Sequence, residues 1–217
     1  MYKTVVFDLD GTLLNTLTDL ADAGNRLCQK YGWPTHERQA YRYFVGNGIP
    51  KLVERLAPAD QRTPAVLEVA LADFKRDYGQ HLRDTTAPYP GIPEMLAKLK
   101  ANGVQLAVFS NKADALAKEV VKDYFGTQYF TIVRGQMTGV APKPAAEGTN
   151  ALLQALHADP ASTLYVGDSN VDVETAHNAN LPCCGAVWGF RTREELNAAG
   201  AEYLAENSDE LYDVIMK

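Results

Sequence analysis

The sequence is short of soft metal-binding side chains: three cysteines and four histidines in 217 residues. Cys28 stands alone and Cys183 and Cys184 are adjacent. This odd count argues against a disulfide frame and for reduced thiols in a cytoplasmic protein. A zinc site would need further spaced Cys or His ligands, and none lie near Cys183-Cys184. His36, His81, His157 and His177 match no ligand or base spacing. No apolar run approaches the length of a membrane span. Positive charge is also scarce, with 21 Lys and Arg against 27 Asp and Glu and a net charge of −6. That excludes a broad basic surface for nucleic acid. Met1-Tyr2-Lys3 runs straight into an apolar stretch, leaving no room for a signal peptide. There is no internal repeat and no low-complexity tract.

What is present is a balanced composition, 46% hydrophobic and 22% charged, as a folded chain requires. Short apolar runs at 4–7, 104–109, 129–133, 163–166 and 183–187, with a weaker one at 202–204, read as continuous rather than alternating. That pattern suits strands buried on both faces. Helical spacing separates them, at 92–102 before Gly103, 113–124 before Gly126, 145–157 before Asp159-Pro160, 171–180 and 209–216. Strand alternating with helix predicts an α/β fold, a doubly wound parallel sheet with a Rossmann-like core.

The alternation breaks once. Nearly a hundred residues after the first strand carry no convincing strand, while 19–31, 49–56 and 65–82 place apolar residues at helical spacing. Val66, Val69, Ala70, Phe74 and Tyr78 are an example. "DTTAPYPGIP", residues 84–93, then reads as a linker. The expected organisation is a core of 1–15 and 87–217 with an all-helical cap of 16–86 inserted after the first strand.

Ligands of open parallel sheets bind beyond the carboxyl ends of the strands. The first strand ends in "FDLDGT", which delivers Asp8, Asp10 and Thr12. Ser110, Asn111 and Lys112 follow the second, Lys143 in "APKP" follows the third, and "GDSNVD" with Asp168, Ser169, Asn170 and Asp172 follows the fourth. Four carboxylates on one edge repel one another unless a cation sits among them. An all-oxygen set suits Mg²⁺. Ser110 can donate to a phosphate, Lys143 adds fixed positive charge, and backbone amides around Asp10 and Asn111 can cradle oxygens. Together these suggest covalent phosphoryl transfer, one Asp attacking and the other handling the proton. Taken singly, each has a plainer reading: Asp-Gly as a turn, Ser110-Asn111 or Asp168 as a helix cap, Lys143 as a solvated loop lysine. Four such groups in order outweigh them.

With "FDLDGT", "FSNK", "PKP" and "GDSNVD" in order, the full chain resembles the haloacid dehalogenase superfamily of phosphatases. The resemblance implies that Asp8 is the nucleophile and that Asp10 protonates the leaving oxygen and then activates water. It implies Mg²⁺ held by the Asp8 carboxylate, the Asp10 backbone carbonyl and Asp168, and phosphate met by Thr12, Ser110, Asn111 and Lys143. Ser169 and Asp172 would brace these groups. "YFVGNGIPKLVER" and "PYPGIPEMLAKLKANGVQLAVFSNK" resemble bacterial phosphoglycolate phosphatases. Arg42, Asn47 and Lys51 in the cap are then candidates for a substrate carboxylate, and 2-phosphoglycolate is the implied substrate. "LLNT" departs from a "VDS"-like stretch in many relatives, with Asn15-Thr16 replacing an acid and Ser. The Trp188-Gly189-Phe190 loop is placed to border the pocket or to pack in the core.

Several alternatives stay open at this stage. Within the same fold they are another small-metabolite phosphatase, a pyrophosphatase or a β-phosphoglucomutase. A dehalogenase would replace the second acid, and Asp10 argues against it. A phospho-accepting receiver domain shares the sheet, an acceptor Asp and a Lys, yet needs no hundred-residue cap. A non-catalytic binding module would lack a motif residue, and none is missing. The expected partner is a small phosphorylated metabolite, with no nucleic acid and no membrane; the oligomeric state is not legible.

Overall fold

The computed structural model describes all 217 residues, which divide into two compact units, Met1–Leu14 with Pro88–Lys217 and Asn15–Ala87. In chain order the strands are β1 (Thr4–Phe7), β2 (Leu14–Asn15), β3 (Ala87–Pro88), β4 (Gln105–Ala113), β5 (Phe130–Gln136), β6 (Thr163–Gly167), β7 (Cys183–Ala186) and β8 (Tyr203–Ala205). The helices are α1 (Leu17–Tyr31), α2 (Arg38–Phe44), α3 (Ile49–Leu56), α4 (Pro64–His81), α5 (Ile92–Ala101), α6 (Asp114–Phe125), α7 (Ala146–Leu156), α8 (Asn170–Asn178), α9 (Arg193–Ala198) and α10 (Ser208–Met216).

In the larger unit six parallel strands form one sheet in the order β5-β4-β1-β6-β7-β8. β1 reads TVVF and all four residues are buried, as a central strand covered on both faces requires. Its Val6 lies in register with Ala107 on one side and Tyr165 on the other. The helices bury one stripe each; α5 places Ile92, Met95, Leu96 and Leu99 inward, at spacings of three and four. Val6, Phe109, Leu152, Leu156, Tyr165, Val173 and Leu196 belong to one core cluster. From β1 the chain winds first through β4 and β5, then returns through β6, β7 and β8 on the other side. The reversal of strand order beside β1 is where ligands of such sheets bind.

The smaller unit is helical, α1 through α4, and its core includes Leu20, Leu27, Tyr41, Leu52, Phe74 and Tyr78. Asp19, near the start of α1, is buried, and its carboxylate accepts four hydrogen bonds. The donors are the Thr85 amide (2.9 Å) and hydroxyl (2.5 Å) and the Thr86 amide (2.9 Å) and hydroxyl (2.7 Å). That carboxylate ties the first helix of the insert to its last residues. β2 and β3, absent from the sequence reading, pair as a two-stranded ribbon.

Other local differences have physical causes. α2 was not foreseen, and it buries only Tyr41, too little for an apolar stripe. α9 was also missed, although "TREE" carries its capping box: Thr192 Oγ1 accepts from the Glu195 amide and Glu195 accepts from the Thr192 amide. Val69, counted with the apolar face of α4, points outward and is 57% exposed. β4 continues through an irregularity between Phe109 and Ala113, so Ser110-Asn111 lie in strand rather than capping α6. α8 is capped by Ser169, not Asp168. No helix is long and apolar enough to cross a membrane.

Candidate active site

The ends of β1, β4 and β6 and the loop bearing Lys143 bring Asp8, Asp10, Lys112, Lys143, Asp168 and Asp172 to one edge of the sheet. Lys143 is nearly inaccessible, which removes the reading as a solvated loop lysine. Its ammonium lies 2.9 Å from Asp8 Oδ1 and 2.7 Å from Asp172 Oδ1. It also donates to the Phe109 carbonyl and the Tyr165 hydroxyl, at 3.3 and 3.2 Å. A lysine stays charged in such a place only because acids hold it there. Burial works against the charge, and Asp172 and Asp8 outweigh it, raising the Lys143 pKa well above its ordinary value.

Asn111 clamps the lysine's backbone. Its Oδ1 accepts from the Lys143 amide at 2.9 Å and its Nδ2 donates to the Lys143 carbonyl at 3.2 Å. The Asn111 side chain therefore holds the loop, and its backbone remains the expected phosphate contact. Ser110 Oγ accepts from the Lys112 amide at 3.3 Å, and its residue is buried. Asp172 Oδ2 accepts from the Ser169 hydroxyl (2.7 Å) and amide (3.1 Å), so Ser169 and Asp172 form a braced pair beneath Lys143.

Asp168 is held from two sides. The Thr12 hydroxyl donates to its Oδ1 at 3.0 Å and the Phe190 amide to its Oδ2 at 2.8 Å. Thr12 is fully buried and gives its hydroxyl to Asp168. The Trp188-Gly189-Phe190 loop borders this same group. Trp188 Nε1 donates to the Thr12 carbonyl at 3.0 Å, and a Cβ on Gly189 would fall 2.2 Å from Asp168 Cβ. The sequence left that loop either bordering the pocket or packing in the core; "WGF" carries no motif that points to Asp168, and only Gly189's small size hints at so close an approach.

Asp8, Asp168 and Asp172 bring carboxylate oxygens within 4.8 Å of one another. Asp172 is already engaged by Lys143 and Ser169, which leaves Asp8 and Asp168 as the available pair. Two features fit a divalent cation there. Asp8 Oδ1 is buried, with the Lys143 ammonium at 2.9 Å and no further hydrogen-bond donor. The donors are all hard oxygens, the choice of Mg²⁺ rather than of a thiophilic ion. Electrostatics agree. Burial is the main influence on Asp8 and pushes its carboxyl up to about 7, with Lys143 pulling it down and Asp172 and Asp10 pushing further. Burial, then Asp172 and Asp8, hold Asp168 well above the carboxylate range against the Phe190 and Thr12 hydrogen bonds. Such paired acids ionise readily only when a cation joins them.

Asp10 stands apart from that cluster. Its carboxylate accepts from Lys112 Nζ at 3.0 and 3.2 Å. The sequence reading named Lys112 but assigned it nothing, because a lysine closing a strand ordinarily points to solvent.

In the smaller unit, Lys51 is exposed and paired with Glu54 at 2.8 Å, one helical turn away. Asn47 Oδ1 accepts from Arg55 Nη2 at 2.8 Å, while Arg55 Nη1 donates to the Tyr43 and Phe44 carbonyls. Arg42 lies in the last turn of α2, half-buried. Asn47 is thereby fixed by Arg55, and Lys51 sits in an ordinary surface pair.

A parallel sheet with this acid and lysine constellation and a helical insert matches one family. The haloacid dehalogenase-like hydrolase profile covers residues 5–186, and the chain belongs to that family. Its curated relatives are phosphatases, and the chain is an enzyme of that kind. The phosphoglycolate phosphatase of Thiobacillus denitrificans is 31% identical over 191 residues, 87% of this chain and 84% of the relative. That of Vibrio parahaemolyticus is 29% identical over 218 residues, 98% of this chain and 96% of the relative. Among solved structures, a candidate phosphoglycolate phosphatase from Lactobacillus delbrueckii subsp. bulgaricus superposes with a TM-score of 0.93. It is 28% identical and covers 99% of this chain and 98% of its own.

Proposed function

We propose that the protein hydrolyses a small phosphomonoester through an aspartyl-phosphate, and that its substrate is 2-phosphoglycolate, cleaved to glycolate and phosphate. The observation that carries the reaction is the separation of two acids two residues apart: buried Asp8 beside Lys143, and Asp10 held away on Lys112. In the first step an Asp8 carboxylate oxygen attacks phosphorus and the ester P–O bond breaks. Asp10, as the acid, gives its proton to the departing alkoxide. In the second, Asp10 takes a proton from water as the water oxygen attacks phosphorus. The bond between phosphorus and the Asp8 oxygen breaks, and phosphate leaves.

Lys143 supplies positive charge beside Asp8, and Ser110 with the backbone around Asn111 is available to phosphoryl oxygens. Mg²⁺ is the proposed metal, held by the Asp8 carboxylate, the Asp10 carbonyl and Asp168. When bound, it would neutralise acid and phosphoryl charge. Thr12, Phe190, Ser169, Asp172 and Asn111 hold these groups in place.

The choice of 2-phosphoglycolate rests on the names carried by the curated relatives. Arg42, Asn47 and Lys51 remain the proposed contacts for its carboxylate. A screen of phosphomonoesters with Mg²⁺ tests this. The expected outcome is a kcat/KM for 2-phosphoglycolate at least about tenfold above sugar phosphates, a difference of about 1.4 kcal/mol in transition-state binding. Equal values would make the protein a general phosphatase of the same chemistry.

A further inference from the structure

Lys112 is a buried cation that the proposed reaction does not yet use. It lies in β4 just after Ser110 and Asn111, in the stretch where the pairing with β5 is irregular. Such irregularities re-aim side chains that a regular strand would send elsewhere. Both Asp10 oxygens are within 3.2 Å of its ammonium, and the side chains are 2% (Lys112) and 15% (Asp10) exposed. A fully buried lysine is rare without a charge partner, and removing one member of such a pair leaves the other uncompensated. One ammonium contacting both oxygens also restricts the rotation of the carboxylate, which a single contact would not.

We propose that Lys112 is a positioning residue that holds the Asp10 carboxylate for its proton transfers, tying the end of β1 to the end of β4. It acts through Asp10 and makes no contact with substrate. The inference rests on Asp10 being the acid and base, as proposed above, and adds a second residue on which that role depends. General acid help depends on geometry before all else, since the proton donor must lie within hydrogen-bond reach of the leaving oxygen. An Asp10 released from Lys112 samples other rotamers and delivers less of that help.

The test compares Lys112→Met, Asp10→Asn and the double variant on two substrates with Mg²⁺. One is an alkyl phosphomonoester, whose alkoxide needs a proton to leave; the other is p-nitrophenyl phosphate, whose phenolate does not. Lys112→Met should lower kcat/KM, which reports formation of the aspartyl-phosphate and not its shared hydrolysis, about 10- to 100-fold on the alkyl ester and several-fold less on p-nitrophenyl phosphate, within the range of general acid catalysis. KM should not rise, since no substrate contact is lost. In the Asp10→Asn background the same substitution should cost less than about threefold, because the group it positions is gone. Lys112→Arg, which keeps the charge and two donors, should recover most of the selective loss. It also stands in if the Met variant does not fold. Equal losses of kcat/KM on both substrates, a rise in KM with kcat unchanged, or an undiminished cost in the Asp10→Asn background would each overturn the inference. An Asp10→Asn variant that loses kcat/KM equally on both substrates would instead remove the acid assignment, and the inference with it.

Discussion

At Gly11 the backbone takes φ +87°, and a Cβ there would lie 2.3 Å from Asp168 Oδ2. Two costs coincide at this residue: about 1–2 kcal/mol for a side chain in the left-handed region, and displacement of a buried acid. Gly11→Ala should therefore lower stability by at least that amount in urea denaturation and reduce kcat at least about tenfold through misplaced Asp168. Normal activity with only lost stability would show that Asp168 tolerates movement. Asp8→Asn makes a cleaner test of chemistry, since an amide cannot be the nucleophile while its volume is unchanged. Turnover should vanish with the melting temperature unchanged or raised, because an acid pushed up to about 7 by burial is removed. Much of this residue scale was legible in sequence: Asp8, Asp168, Asp172 and Lys143 stand in motifs whose chemistry constrains them. The support that Thr12, the Asn111 side chain, Lys112 and Phe190 give these groups was not legible. Their tasks depend on which strand end faces which, and spacing along the chain does not carry that.

At the scale of elements, the core strands and most helices followed from continuous apolar runs and from helical stripes ended by glycine. α2 and α9 did not, since seven and six residues are too few for periodicity to emerge. The insert shows another limit. Its ends are joined by the Asp19 carboxylate, a residue unremarkable in sequence that accepts from two amides and two hydroxyls of Thr85 and Thr86. Asp19→Ala takes this acceptor from the buried Thr86 amide and hydroxyl, while the exposed Thr85 donors can turn to water; the loss should cost about 2–4 kcal/mol, from one to three kcal/mol for each buried group with partial relaxation. Hydrogen exchange should show amides of α1 and of residues 82–87 losing protection first. Unchanged protection there would mean that the helices of the insert hold its ends without this carboxylate.

For the whole molecule, the buried acids make stability depend on pH and metal together. The Asp8 carboxyl is raised to about 7, above its value in the unfolded chain, so the folded state binds the extra proton. Its contribution is therefore present below about pH 4 and is lost as pH rises through about 7 in metal-free protein. The proposed Mg²⁺ would compete with that proton, and its apparent affinity should fall up to about tenfold for each pH unit below 7. Thermal unfolding with and without Mg²⁺ should show a larger stabilising shift at pH 8 than at pH 5. An equal shift at both would separate the metal from Asp8. Ca²⁺, which prefers more ligands at longer distances, should bind without supporting full turnover.

The central claim is that Asp8 carries the phosphoryl group between substrate and water. In Asp10→Asn with p-nitrophenyl phosphate, formation of the aspartyl-phosphate needs no proton donor, while its hydrolysis still needs a base. The covalent form should accumulate, and acid quenching followed by peptide mass spectrometry should find one HPO₃ added to Asp8, with none in the Asp8→Asn protein. A phosphoryl group on another residue, or release of p-nitrophenolate and phosphate together with no labelled peptide, would contradict the account.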